Sequence, residues 1–126
     1  MGLRATDLVL TNCGSRPYVL DGYPTLRVLD ADHGPLTVVV SHGSSAITPI
    51  AGFDQAPRRV TVQPGHRAVA GLLWRNTVTD VQVPAANGAY LDVTPGPGRP
   101  DQTFRTAYPV DLGNTGKLAI SAWKAG

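Results

Sequence analysis

Residues 8–30 read LVLTNCGSRPYVLDGYPTLRVLD, three short β-type runs broken by two turn signals. Over Ala5 to Thr11, Leu8 and Leu10 fall on one face and Asp7, Val9 and Thr11 on the other, the alternation of a half-buried strand. Asn12-Cys13-Gly14-Ser15 is a turn by composition, because Asn and Gly accept positive φ and Ser bonds the backbone locally. In the run Arg16 to Leu20, Pro17 has no N–H to give a ladder, so it marks a strand start or an edge. Asp21-Gly22 turns the chain again and Pro24 holds Tyr23 extended. Leu26 to Ala31 then sets Leu26 and Val28 against Arg27 and Leu29.

The same rhythm continues outward from this unit. Asp30 to Gly34 is a turn, and the β-branched run Pro35 to Ser41, PLTVVVS, reads as the antiparallel partner of the 26–31 strand. His42 to Pro57 is the longest stretch without periodicity; long loops in compact domains commonly carry function. Arg58 to Val62 and Arg67 to Arg75 read as a hairpin turning at Gln63-Pro64-Gly65-His66. Val60, Val62, Ala68, Ala70, Leu72 and Trp74 are in phase to line a core. A buried Trp74 needs one acceptor for its indole N–H. Asn76 to Gly88 is a second loop with a short Val81-Gln82-Val83 piece, and Ala89 to Thr94 is a strand that the Pro-rich 95–100 segment ends. Thr103 to Ala107 and Leu118 to Trp123 complete the set.

Turns at roughly ten-residue spacing, and no window with an apolar helical period, place the chain in the all-β class. The expected fold is one immunoglobulin-like antiparallel β-sandwich domain, residues 1–126, of about seven to nine short strands. Fourteen Gly, eleven Pro and only 16% charged residues agree with many short elements joined by turns. A net charge of +2 is too small for the field that a phosphate backbone requires, so nucleic acid is not an expected partner. No apolar run is long enough for a transmembrane helix, and the first residues lack the apolar core of a signal peptide. With Cys13 the single cysteine, no intramolecular disulfide forms. On these grounds a cytosolic protein, or one from which a leader was removed, fits.

Taken in order, LVLTN at 8–12, Leu20-Asp21-Gly22-Tyr23-Pro24, Val28-Leu29-Asp30-Ala31, Val62-Gln63-Pro64-Gly65, Leu73-Trp74 and Tyr90-Leu91-Asp92-Val93-Thr94-Pro95 resemble an actinobacterial family of β-sandwich domains of unknown function. Its members are mostly secreted proteins and lipoproteins. The resemblance runs from about Leu3 to the C-terminus and implies a location outside the cell or at its envelope; it brings no catalytic residues. Members commonly carry four cysteines. The second corresponds here to Tyr18, the third falls around Val81 to Val83 and the fourth around Val110 to Leu112, so two bridges, each worth about 2–4 kcal/mol, would be missing. The family's leading strand also lacks a counterpart, which implies an unpaired edge at or beside the Leu8 strand, open to a second copy of the chain as a homodimer or to a donated strand.

The residues that could carry chemistry are few. His33, His42 and His66 each lie in a turn beside a glycine; gathered with Cys13 they would resemble a copper site, but no His follows His66 and Cys13 lies near the N-terminus. His42-Gly43-Ser44-Ser45 sets a base beside hydroxyls without a Gly-x-Ser-x-Gly elbow. Asp30 and Asp32 bracket a turn, where carboxylates usually cap the backbone instead of binding calcium. The expected function is therefore a non-enzymatic envelope or interaction module that uses no cofactor. It would bind a protein, a glycan or a small ligand through the 40–57 and 76–88 loops or an open sheet edge, with His42, Ser44, Ser45, Phe53 and Asp54 as candidate binding-loop residues. The alternative is a small metal-binding, cupredoxin-like protein or a small enzyme that uses the turn histidines.

Overall fold

The computed structural model describes residues 2–78, 82 and 84–126. These hold no helix and ten strands: β1 (Leu3–Thr11), β2 (Tyr18–Asp21), β3 (Thr25–Leu29), β4 (Val39–His42), β5 (Arg59–Val62), β6 (Arg67–Arg75), β7 (Ala86–Thr94), β8 (Gln102–Gly113), β9 (Lys117–Ile120) and β10 (Lys124–Ala125). The all-β sandwich-like architecture agrees with the alternation and turn spacing. The count passes the expected upper bound only through the two-residue β10.

One sheet runs β1-β6-β9-β4, with β10 also on β6; a second runs β3-β7-β8; β2 and β5 form a small third. All pairs are antiparallel except β4 with β9. Between the layers lies one cluster of buried side chains to which eight strands contribute, among them Leu8, Leu20, Leu26, Val60, Leu72, Leu91, Val110 and Leu118. The in-phase set Ala68, Ala70, Leu72 and Trp74 does face this core, as do Val60 and Val62.

Which strands pair differs from the sequence reading in two places. Val62 and Arg67 do flank a turn, closed by the His66 N–H on the Gln63 carbonyl, but the chain crosses between sheets there instead of folding back as a hairpin. Both edges of β6 are occupied, one by β1 over nine residues and the other by β9 and β10, so β5 pairs with β2. Likewise the partner of β3 is β7. The PLTVVVS run meets β3 only at its start, through the Leu29 and Pro35 bridge, and then crosses to the other sheet to lie parallel to β9. Beyond Ala107, β8 continues to Gly113 because Pro109 falls in a break of the ladder, where no N–H is needed. Val81 and Val83, and with them the core of the Val-Gln-Val piece, lie outside the described residues.

Candidate functional site

The long loop that the sequence singles out lies over the outer face of the first sheet. Ser44 is fully buried: its Oγ donates to Asp54 Oδ2 at 2.8 Å and accepts the Ile50 N–H at 2.7 Å. The other Asp54 oxygen accepts the Ser44 N–H. Phe53 lies against Gly71 of β6, where a Cβ would stand 3.0 Å from the ring, and Lys124 Nζ donates to the Gly52 carbonyl at 3.3 Å. The hydroxyl of Ser44 thus serves the loop's own backbone and offers no face to a substrate. Ser45 is exposed, and His42, also exposed, stacks on Tyr23 with ring centroids 3.9 Å apart.

His33 stacks on Tyr90, also at 3.9 Å, and His66 closes the turn before β6. Among the described residues, no three His, Cys, Asp or Glu side chains gather closely enough to hold a metal ion. Asp30 accepts the N–H groups of Asp32 and Gly34 on Oδ1, at 2.9 and 2.8 Å, which makes it the cap of its own turn.

A cleft lies elsewhere, where one edge of each sheet meets. β1 ends the first sheet and β8 ends the second. Two adjoining cavities of about 660 and 650 Å³ run between them and share Asp7, Leu8 and Phe104 in their walls. Each falls in the usual size range of ligand sites. Leu91, Val93, Val110 and Trp123 contribute apolar surface, and Phe104 stands 42% exposed beside them.

The β1 wall offers hydrogen bonds as well. The Asn12 N–H donates to the His66 carbonyl and the Asn76 N–H to the Gly2 carbonyl. Antiparallel alternation therefore directs the even-numbered residues of β1 to β6 and turns the N–H and C=O groups of Leu3, Ala5, Asp7, Val9 and Thr11 away from it. Among the described residues β1 pairs with no other strand.

On the β8 wall the ladder slips. Gly88 pairs with Val110 and Tyr90 with Arg105, so residues 106–109 bulge opposite Ala89, and Tyr108 is 85% exposed. At one end Asp111 closes the cleft. It accepts from Trp74 Nε1 at 3.1 Å and Asn76 Nδ2 at 3.1 Å, with Arg4 Nε 3.4 Å away. Burial pushes the Asp111 carboxyl up, but the Asn76 and Trp74 hydrogen bonds and the Arg4 charge outweigh it and hold it below the ordinary 3.8.

Residues 1–124 match a protein family described as "Domain of unknown function (DUF4232)". The chain belongs to this family. No curated protein and no solved structure matches it. Tyr18 lies against the core under the Arg99 guanidinium, 3.9 Å from its ring centroid, while Val110 and Leu112 are buried. Sequence reasoning reads Thr103 to Ala107 as a strand but misses its continuation to Gly113 as a wall of the cleft, because a bulge interrupts the alternation. Pro109 was the available signal, since inside a run it points to an edge strand or a bulge.

Proposed function

We propose that this DUF4232 domain is a non-enzymatic binding module that holds its ligand in the cleft between β1 and β8. One observation carries the reading: an edge strand from each sheet faces the same apolar cleft, so a ligand there meets free backbone donors and acceptors on one side and exposed aromatic rings on the other. The His42–Pro57 loop supports the same choice, because Ser44 and Asp54 are engaged with each other and Phe53 with the sheet. The envelope or extracellular location implied by the family resemblance accompanies this proposal and is tested by fractionation of the native host.

Selection from a displayed random-peptide library and from a glycan array, against the wild-type domain and a variant with the cleft filled by Thr6→Trp, tests the reading. Ligands retained by the wild type and by His42→Ala but lost by Thr6→Trp are expected. Ligands bound equally by the filled variant would place the site elsewhere.

A further inference from the structure

We propose that the occupant of the cleft is an extended polypeptide segment that adds as a strand to β1, with apolar side chains at alternate positions and a lysine or arginine opposite Asp7. This rests on the cleft being the binding site and goes further by naming the class of ligand. Among the described residues no strand takes up the N–H and C=O groups of Leu3, Ala5, Asp7, Val9 and Thr11, and they are the pattern that an added strand satisfies, residue for residue. A glycan or a rigid small molecule has no such repeat.

The side-chain pattern follows from the pleat. Leu8 and Leu10 pack toward the core from the even positions of β1. Residues of an added strand opposite them share that face and meet Val93, Phe104 and Trp123, so they must be apolar. Residues opposite the odd positions face the other way, beside Asp7. No partner for the Asp7 carboxylate is found among the described residues, and the residue across from it on β6 is Gly71, which has no side chain to answer the charge. A cation on the incoming strand supplies that partner.

The same carboxylate argues against a second copy of the chain. The register that pairs the whole of β1 with another β1 about a two-fold axis sets Asp7 directly opposite Asp7, a destabilising like-charge pair. A charge at the centre of an edge is also how natural sheets discourage edge-to-edge association.

The test adds to the protein three synthetic seven-residue peptides of alternating Val and Thr: one with a central Lys, one with a central Glu, and the Lys peptide N-methylated along the edge that would face β1. Fluorescence anisotropy and amide hydrogen exchange are the readouts. The Lys peptide is expected to bind about fivefold more tightly than the Glu peptide. It should slow exchange at Ala5, Asp7 and Val9, and N-methylation should abolish both effects. Asp7→Lys should reverse the preference and Asp7→Asn should level it. Perturbation of Phe104 and Trp123 without protection of the odd β1 amides would overturn strand addition while leaving the cleft as the site. No response at either would overturn both readings. Protection that instead rises with protein concentration without peptide would assign the edge to self-association and overturn the peptide proposal.

Discussion

The indole Nε1 of Trp74 on β6 donates at once to the carbonyl oxygen and to the carboxylate of Asp111 on β8, at 3.2 and 3.1 Å, and so ties the two sheets together at one end of the cleft. A buried indole with no acceptor would lose the solvation of its N–H without return. Asp111→Ala leaves the indole only the backbone carbonyl of residue 111 and takes the acceptor from the Asn76 amide, so it is expected to lower the unfolding free energy by about 1–2 kcal/mol, and Asp111→Asn by roughly half of that, since the amide oxygen still accepts. Urea denaturation of the three proteins measures this; an unchanged midpoint for Asp111→Ala would mean that the tie contributes nothing.

Acid should weaken the domain in a defined window. Asp92 is held below the ordinary 3.8 chiefly by Arg27, whose Nη2 and Nε lie 2.6 and 3.1 Å from Oδ2, with Asp101 and Thr103 assisting against the effect of burial. Asp111 is shifted the same way. Both carboxyls thus bind protons more readily in the unfolded chain. Their contribution is fully present above the unfolded value near 3.8 and is lost as pH falls through the lower folded values. The thermal midpoint should be level from neutral pH down to about 5 and fall below about 4. An Asp92→Asn, Asp111→Asn double variant with the same acid slope as the wild type would refute the assignment.

Two glycines separate crowding from backbone conformation. A Cβ at Gly88 would fall on Cγ1 of Val28 and 3.2 Å from Cβ of Val110, so Gly88→Ala should destabilise by about 1–3 kcal/mol through overpacking. At Gly65 there is open space but a φ of 81°, so Gly65→Ala should cost about 1–2 kcal/mol through the left-handed backbone alone. Adding Val28→Ala should rescue Gly88→Ala and leave Gly65→Ala unimproved. Failure of that rescue would mean the clash is not the cause.

Asn12 joins three segments. Its amide donates to the carbonyls of Arg16 and Val62 at 2.7 and 2.8 Å and its oxygen accepts the Gly14 N–H at 2.9 Å. Asn12→Ala strands a buried Val62 acceptor and should cost about 2 kcal/mol. Amide exchange should quicken first in β2 and β5; a rise confined to β1 would contradict the linking role.

Much of the core could be read from alternation alone, because burial on one face of a strand is a local property: Leu8, Val60, Val62, Leu72, Trp74, Leu91 and Val93 all lie inside. Partner choice could not. Nothing within residues 35–41 states that Val39 to His42 will lie beside Lys117 to Ile120, since that pairing depends on which edge of β9 is left open once β6 has taken the other. The cleft was half readable. An open edge near Leu8 followed from the resemblance, whereas its opposite wall on β8 is hidden by a four-residue bulge. The candidate loop showed its polar residues but not that they bond one another: Ser44 and Asp54 are ten residues apart, and only the folded loop brings them together.

The place of β6 also governs how the chain can fold. It lies between β1 from the start of the sequence and β9 and β10 from the end, and β4 has no sheet to join until β9 is present. β1 and β6 can pair first, but the first sheet is completed only when the last strands of the chain arrive. Pairings of such long sequence separation fold on the millisecond-to-second scale, and until residues 117–125 emerge the second edge of β6 stays open to chaperones and to other nascent chains.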